Sequence, residues 1–142
     1  MTTTLRFKRL RANAVTPRRA HPTDAGLDLA PIEDARIAPG VTVKLPTGLA
    51  FEIPQGCKGQ IDERSSTGAR GLLIRGVVDA DYRGDVHLRI TNISNEWLTV
   101  EREKYIAQLV IVPVLTPETV EVSELSSTER GDGGFGSSDV KP

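Results

Sequence analysis

The strongest constraint on the fold is a period-two alternation of apolar and polar residues that recurs along most of the chain. Side chains of a β-strand point alternately to its two faces, so this alternation predicts strands with one buried face. The apolar positions are Leu5 and Phe7; Val41, Val43 and Leu45; Leu49, Phe51 and Ile53; and Val86, Leu88 and Ile90. Helical periodicity is nearly absent. The sequence therefore predicts an all-β sandwich, jelly roll or barrel.

Three segments depart from the alternation. Residues 105–115 are almost continuously apolar, which predicts a strand buried on both faces with Gln108 as its polar exception. A short helix is predicted at 65–70, and a last strand at 119–125. Residues 126–142 are rich in Gly and Ser and cannot bury enough surface to fold alone. We expect a β-domain over 1–125 and a flexible C-terminal arm over 126–142 that closes over a ligand.

Composition and charge exclude several classes of function. The 142 residues fit one domain, and a formal net charge of −1 argues against a general nucleic-acid binder, which needs a concentrated basic surface. No segment has membrane-spanning length or the pattern of a signal peptide, so a cytoplasmic location is expected. One cysteine (Cys57) and two histidines exclude an intramolecular disulfide and the usual zinc sites. Any metal would be a hard cation with oxygen ligands, brought in by a substrate.

The segment 76–84, with the sequence GVVDADYRG, carries the most distinctive chemistry. It predicts a β-hairpin whose strands are 77–78 and the run from Val86. A hairpin edge can offer backbone N–H and C=O groups to a base. Asp79 beside an apolar residue suits a general base that activates water, and the Tyr82 ring suits a sugar without a 2′-hydroxyl. The alternative for this segment alone is an exposed turn with two acidic residues.

Two other segments suggest a site for phosphates. Arg64, Ser65 and Ser66 at the start of the predicted helix would offer guanidinium, hydroxyl and backbone donors. The alternative is that one of the serines simply caps the helix. Gly26 and Asp28 lie two residues apart on a predicted strand and so share a face. Alone, they indicate only a strand start with a turn aspartate.

Together these segments resemble the trimeric dUTPase family, the deoxyuridine 5′-triphosphate nucleotidohydrolases, whose five ordered motifs recur here over nearly the whole chain. The matches, in order, are AGLDL at 25–29, RSS at 64–66, GVVDADYRG at 76–84, IAQL at 106–109 and RGDGGFGSS at 130–138. The third and fifth motifs are specific, whereas the others are weak singly. Their joint occurrence in this order, on an all-β background, carries the resemblance.

The resemblance implies a dUTPase-like jelly roll (β-clip) that forms a homotrimer with shared active sites. One subunit would supply the hairpin, a neighbour the phosphate motifs and the third its arm. Such an enzyme hydrolyses dUTP to dUMP and pyrophosphate with Mg²⁺, which keeps uracil out of DNA and supplies dUMP for dTMP synthesis. The small-molecule partner expected is dUTP, with no nucleic acid or membrane partner.

The resemblance also implies roles for individual residues. Asp79 would activate the water that attacks the α-phosphorus, and Asp28 would order the water shell of a Mg²⁺ held mainly by the substrate phosphates. Tyr82 would reject ribose, Arg130 would reach the γ-phosphate and Phe135 would cover the uracil ring. The implied substrate-binding residues are Arg64, Ser65, Ser66, Gly76, Val77, Val78, Asp79, Tyr82, Gln108, Arg130, Phe135, Gly136 and Ser137.

The chain departs from the family pattern at several positions. Leu27 stands where an aromatic residue is usual, Glu63 where proline is usual, and Glu-Lys-Tyr at 103–105 where a glycine, an acid and an arginine are usual. The segment 70–76 is shorter than in typical cellular members and lacks an asparagine that often helps to hold the base. Arg75 is expected to fill part of that space.

Two other functions fit parts of the pattern. A dCTP deaminase would share the fold and the trimer, but it needs a glutamate acting on cytosine, and none lies between Arg75 and Ile90. A dUTPase-like protein without catalysis could instead signal or repress through a partner. The retained Asp79, Tyr82 and Arg130 favour catalysis over this second alternative.

Overall fold

The computed structural model describes residues 4–139, in which ten β-strands and one short helix make up the regular structure. The elements are β1 (Arg6–Arg9), β2 (Leu27–Leu29), β3 (Ala35–Ile37), β4 (Thr42–Pro46), β5 (Leu49–Glu52), β6 (Cys57–Glu63), α1 (Ser65–Ala69), β7 (Leu72–Val78), β8 (His87–Asn92), β9 (Leu98–Val100) and β10 (Ala107–Pro113). The predicted all-β class is confirmed. The ends of the predicted domain and arm, 1–3 and 140–142, lie outside the described residues.

A six-stranded antiparallel sheet in the order β2-β10-β6-β7-β8-β4 forms the centre of the fold. Two small antiparallel sheets, β1-β5 and β3-β9, complete the described strands. In β8, Leu88 and Ile90 are fully buried while His87 and Arg89 are exposed, as the alternation predicts. The largest fully buried side chains of the core are Phe51, Leu29, Ile37, Leu49, Ile53, Leu72, Ile74, Leu88, Ile90 and Leu109.

Strand β10 differs from the prediction that both of its faces are buried. It lies between β2 and β6, and Ala107 and Leu109 are fully buried on its core face. Gln108 and Val110 on the other face are only partly buried. Nothing among residues 4–139 covers that face of β10 fully, so its apolar residues stay partly accessible. The prediction is therefore wrong for a single chain.

The hairpin predicted at 76–84 forms, but its strands diverge towards the turn. Strand β7 pairs with β8 only as far as Ile74, whose partner is Ile90. From Arg75 to Val78, β7 pairs with β6 instead. The predicted pairing of 77–78 with the run from Val86 is therefore wrong. We call this divergence of β7 from β8 the fork.

The turn between β4 and β5 explains the fork, because it binds the chain just before β8. The Val86 N–H donates to the Leu49 carbonyl at 2.8 Å, and the Val86 carbonyl accepts from the Thr47 N–H at 3.0 Å and from Thr47 Oγ1 at 2.7 Å. Asp85 Oδ1 accepts from the Gly48 N–H at 2.9 Å. Gly48 has a φ of +70°, which favours glycine. These bonds hold Val86 against β5 and away from β7.

The chain beyond β10 carries neither helix nor strand from 114 to 139. The strand predicted at 119–125 therefore does not form in this chain. Leu115, Val120 and Leu125 are strongly exposed. Within 4–139, no helix is long and apolar enough to cross a membrane.

The loop before β10 contains a strained residue that a mutation should relieve. Glu103 has a φ of +65°, a left-handed conformation that costs a residue with a Cβ about 1–2 kcal/mol. Glycine relieves this cost, although its greater freedom in the unfolded chain offsets about 0.4–1 kcal/mol of the gain. Glu103→Gly should therefore raise the free energy of unfolding by about 0.5–1 kcal/mol in urea denaturation.

The control for this prediction is Glu103→Ala, which removes the same charge and keeps the Cβ. It should give no comparable increase in the free energy of unfolding. Equal effects of the two variants would show that the carboxylate, and not the backbone conformation, determines stability at this position.

Candidate active site

The first of two cavities at the predicted site residues has a volume of about 460 Å³ and lies beside β2, β10 and the start of α1. It brings together five predicted residues, which are Asp28, Arg64, Ser65, Ser66 and Gln108. We call it the serine cavity. Gly26 also lines it, so the expectation that Gly26 and Asp28 share a face is confirmed.

Asp28 and Arg64 form the charged part of the serine cavity. Arg64 Nε lies 3.2 Å from Asp28 Oδ1, and Arg64 Nη1 donates to the Tyr105 carbonyl at 3.3 Å. Asp28 is only 7% exposed, and within residues 4–139 its Oδ2 has no hydrogen-bond partner. A buried carboxylate oxygen without a partner is unfavourable unless a ligand satisfies it. Asp28 Oδ2 therefore fits a donor such as the water shell of a cation.

The two serines of this cavity are not used as helix caps. The N-cap position of α1 is Arg64, and no side chain caps the helix there. Ser65 is the first residue of the helix, but neither Ser65 nor Ser66 is its N-cap, and both residues are exposed. Gln108 Nε2 donates to the Glu63 carbonyl at 3.2 Å, which fixes the amide beside the serines.

Gly26 is needed for the close approach of Gln108. A Cβ built on Gly26 would lie 2.0 Å from Gln108 Oε1 and 2.9 Å from Gln108 Cβ, which no side chain could tolerate without displacing the amide. The glycine of the first motif therefore has a steric reason within the chain.

Asp24 also lines the serine cavity, although it is not among the predicted site residues. The His21 N–H donates to Asp24 Oδ2 at 2.9 Å, and this bond lowers the pKa of Asp24 below its usual value. A lowered pKa favours the charged form of the carboxylate. The only signal in the sequence is the position of Asp24 at the end of a turn before a strand.

The second cavity, of about 250 Å³, lies in the fork between β7 and β8, and we call it the fork cavity. The predicted residues that line it are Gly76, Val77, Val78 and Tyr82. Three polar residues that line it were not predicted as site residues, and these are Lys44, Asp85 and His87. They come from β4 and from the chain entering β8, so their approach depends on the long-range pairing described above.

Backbone groups of Val77 and His87 face each other across the fork. The Ile74 N–H points to β6, where it donates to Glu63 Oε2 at 2.9 Å, and the Asn92 N–H points to β4. Because backbone groups of alternate residues point to opposite edges of a strand, those of Val77 and His87 point into the fork. The described ladder between β7 and β8 ends before both residues. The fork therefore offers donors and acceptors to a flat polar ring.

Side chains define the rest of the fork cavity. Tyr82 Oη donates to the Asp85 carbonyl at 3.0 Å, which holds the tyrosine ring beside the cavity. His87 Nδ1 lies 3.0 Å from the same carbonyl, to which it donates in the tautomer with the proton on Nδ1. Gly76 lies over Ile61, and its lack of a side chain keeps this part of the cavity open.

Several predicted residues lie outside both cavities in this chain. Asp79 is exposed at the hairpin turn, where its carbonyl accepts from the Tyr82 N–H at 3.1 Å. Phe135 is fully exposed in the arm, and Arg130 Nε donates to Gly133 of the same arm at 2.8 Å. Gly136 and Ser137 are also exposed. A single chain therefore does not bring the arm and Asp79 to either cavity.

Arg75 does not fill space in the fork cavity as the sequence suggested. Its guanidinium is bound to Asp62 and Glu63 on β6, and it is not among the residues that line the cavity. The expectation is wrong because the ion pairs draw the side chain towards β6.

The two cavities are separate within the chain and have no lining residue in common. Val77 pairs with Gln60, and the strand from Gln60 to Arg64 spans roughly 13 Å at the usual rise per residue. Among residues 4–139, no group of three or more His, Cys, Asp or Glu side chains is placed to hold a metal ion.

Comparison with known proteins gives consistent matches. The family model described as dUTPase matches residues 12–139. A deoxyuridine 5′-triphosphate nucleotidohydrolase of Nautilia profundicola is 45% identical, with 94% of this chain and 96% of that protein covered. The protein of the same name from a Hydrogenobaculum species is 42% identical, with 96% and 99% covered.

Solved structures give the same result. The dUTPase of Staphylococcus bacteriophage 80alpha, determined with dUpNHpp, has a TM-score of 0.86 and 35% identity, with 98% of this chain and 100% of that chain covered. A mutant dUTPase from phage phi11 of S. aureus, described with a structural Mg(II) ion, has a TM-score of 0.80 and 29% identity, covering 88% and 100%. The predicted fold is confirmed by this likeness.

Proposed function

Since the chain belongs to the dUTPase family, we propose that it hydrolyses dUTP to dUMP and pyrophosphate in a homotrimer with shared active sites. The observation that carries the proposal is the fork, whose facing backbone groups suit the pairing edge of a pyrimidine. The solved relative with dUpNHpp, an analogue of dUTP, supports the same substrate.

Uracil has a polar edge with two carbonyl acceptors and one N–H donor between them. Backbone groups of Val77 and His87 can supply both the donors and the acceptor for this edge, because each residue carries an N–H and a C=O. The hydrogen bond of Tyr82 to the Asp85 carbonyl would hold its ring against C2′ of the sugar, where it leaves no room for a hydroxyl. The base and the sugar would thus be recognised together.

The serine cavity would hold the triphosphate. Arg64, Ser65, Ser66 and Gln108 bring guanidinium, hydroxyl and amide donors to one place, which suits phosphate oxygens. Asp28 would hold Mg²⁺ through water at its unpaired Oδ2, with the ion bound mainly by the phosphates. When bound, Mg²⁺ would neutralise charge and polarise the phosphate chain.

Asp79 would act on the water. Its carboxylate would accept a proton as the water oxygen bonds to the α-phosphorus, and the bond from that phosphorus to the α,β-bridging oxygen would break. Pyrophosphate leaves with the bridging oxygen and dUMP remains. The arm over 126–142 would close the site, with Phe135 over the base, Arg130 at the γ-phosphate, and Gly136 and Ser137 at the phosphate chain.

Three features of the single chain support a shared site. The serine cavity and the fork cavity lie at different places along β6, Asp79 lines neither, and the arm is exposed. A second copy that presents its serine cavity to the fork, and a third that presents its arm, would complete each site in a closed trimer. We propose a cytoplasmic enzyme of nucleotide metabolism with no nucleic-acid or membrane partner.

The substrate is tested by measuring pyrophosphate release from dUTP, UTP, dTTP and dCTP with Mg²⁺ under identical conditions. Release from dUTP should be at least about 100-fold faster than from dCTP, whose base edge does not match the fork, and than from UTP, whose ribose Tyr82 rejects. Thymine has the same polar edge as uracil, so the rate with dTTP measures whether the cavity excludes its 5-methyl group. Ammonia from dCTP would indicate a deaminase. No reaction with any of the four nucleotides would contradict the proposed activity and indicate a binding protein.

The role of Asp79 predicts a separation of binding from turnover. Asp79→Asn should lower the rate of pyrophosphate release by about 100-fold or more, because the amide cannot accept the proton from water. The dissociation constant for dUTP, measured by calorimetry, should stay within about threefold since the shape is kept. Asp81→Asn is the matched control two residues away and should retain the wild-type rate. Equal losses in both variants would contradict the assignment.

The arm predicts that catalysis can be removed without loss of the fold. A chain ending at Glu129 should keep the wild-type melting temperature, because the described residues of the arm after it are exposed or nearly so. Its rate of dUTP hydrolysis should fall about 100-fold, because an open site positions the phosphates poorly. A lower melting temperature would instead make the arm part of the packed structure.

A further inference from the structure

Arg75 lies at the branching point of the fork. It is the first residue of β7 that pairs with β6 after the ladder with β8 ends at Ile74. Its Nη1 lies 2.6 Å from Asp62 Oδ1 and 3.3 Å from Glu63 Oε2. Two acceptors from adjacent residues of β6 thus bind the side chain at the point where β7 leaves β8.

Glu63 strengthens the same attachment through the backbone. Its Oε2 accepts from the Ile74 N–H at 2.9 Å as well as from Arg75. The last residue paired with β8 and the first residue beyond it are therefore both held by one carboxylate. This side chain stands where the family pattern usually has proline, which could make neither bond.

The positive charge of Arg89 on β8 also favours an open fork. Continuing the register of β7 and β8 past Ile74 would place Arg75 directly opposite Arg89, and the two arginines line a common hollow of about 180 Å³. Arg89 already lies opposite Lys44 of β4. Like charges directly opposite each other in a sheet are unfavourable. Closing the fork would therefore hold the Arg75 side chain against this row of positive charges instead of against Asp62 and Glu63.

We propose that Arg75 is a positioning residue for recognition of the base, which it supports without touching it. Its attachment to Asp62 and Glu63, against Arg89, holds β7 on β6 and keeps the backbone groups of Val77 available to the ligand. This inference rests on the proposed function for the identity of the ligand. Through Arg75, the shortened segment 70–76 would itself keep the fork open.

The principal test is Arg75→Met, which keeps an apolar stem and removes the charge. The KM for dUTP should rise about fivefold with kcat nearly unchanged, the size expected when a partly exposed charge-assisted hydrogen bond is lost. The affinity for dUMP should fall equally. Inhibition by inorganic triphosphate, which needs only the serine cavity, should not change. Arg75→Lys should restore most of the KM.

Arg89 supplies the matched variants on the opposite strand. Arg89→Glu should raise KM as Arg75→Met does, because an acid on β8 would draw Arg75 across the fork. Arg89→Gln should change KM less than about twofold. An unchanged KM in Arg75→Met, or equal losses for dUMP and triphosphate, would overturn the proposal, since the second result indicates general destabilisation.

Hydrogen exchange tests the fork without any nucleotide. In the free protein, the backbone amides of Val77 and His87 should exchange more slowly in Arg75→Met and in Arg89→Glu, because a closed fork pairs them. Unchanged exchange would contradict the inference even if dUTP is hydrolysed. A wild-type protein inactive on dUTP, with slower exchange in the variants, would refute the proposed function and leave the fork mechanism standing.

Discussion

The exchange of partners by β7, from β8 to β6, is the constraint on which the rest of the site depends. Hydrogen bonds on both strands cause this exchange. Val86, before β8, is bound to Thr47 and Leu49. On β7, Ile74 and Arg75 are bound to the end of β6. A continued ladder would satisfy the backbone groups of Val77 and His87 internally. In the proposed function, these backbone groups instead pair with the base of the substrate.

The serine cavity also contains a polar group that the described residues leave without a partner. Asp28 is buried and bound to Arg64 by one oxygen, while the other has no partner within residues 4–139. In the proposed function, the fork would bind the base and Asp28 Oδ2 would bind a charged, hydrated group. They belong to different cavities, and the strand from Gln60, the partner of Val77, to Arg64 spans roughly 13 Å. Such a division favours sites that are completed between copies of the chain.

The sequence pattern predicted those structural features that depend on residues close together in the chain. Strand β8 follows from alternation because it buries one face, whereas β5 forms at a predicted run although Leu49, Ala50 and Phe51 are all buried. The short helix follows from its position between strands. The motifs also predicted the hairpin and the residues that line the serine cavity together. The fork was not predicted, because Val86 finds its partner 39 residues earlier in the chain. Lys44 was missed for the same reason, since the pairing of β4 with β8 brings it to the fork cavity.

The most direct test of the account is complementation between two inactive chains. Asp79→Asn and the chain ending at Glu129 are unfolded together in urea, refolded as a mixture and assayed for pyrophosphate release from dUTP. If each site takes its hairpin and its arm from different copies, random mixing restores intact pairs in about one site in four. Activity near a quarter of the wild-type rate is the predicted result. A mixture as inactive as its components would contradict a site shared between chains.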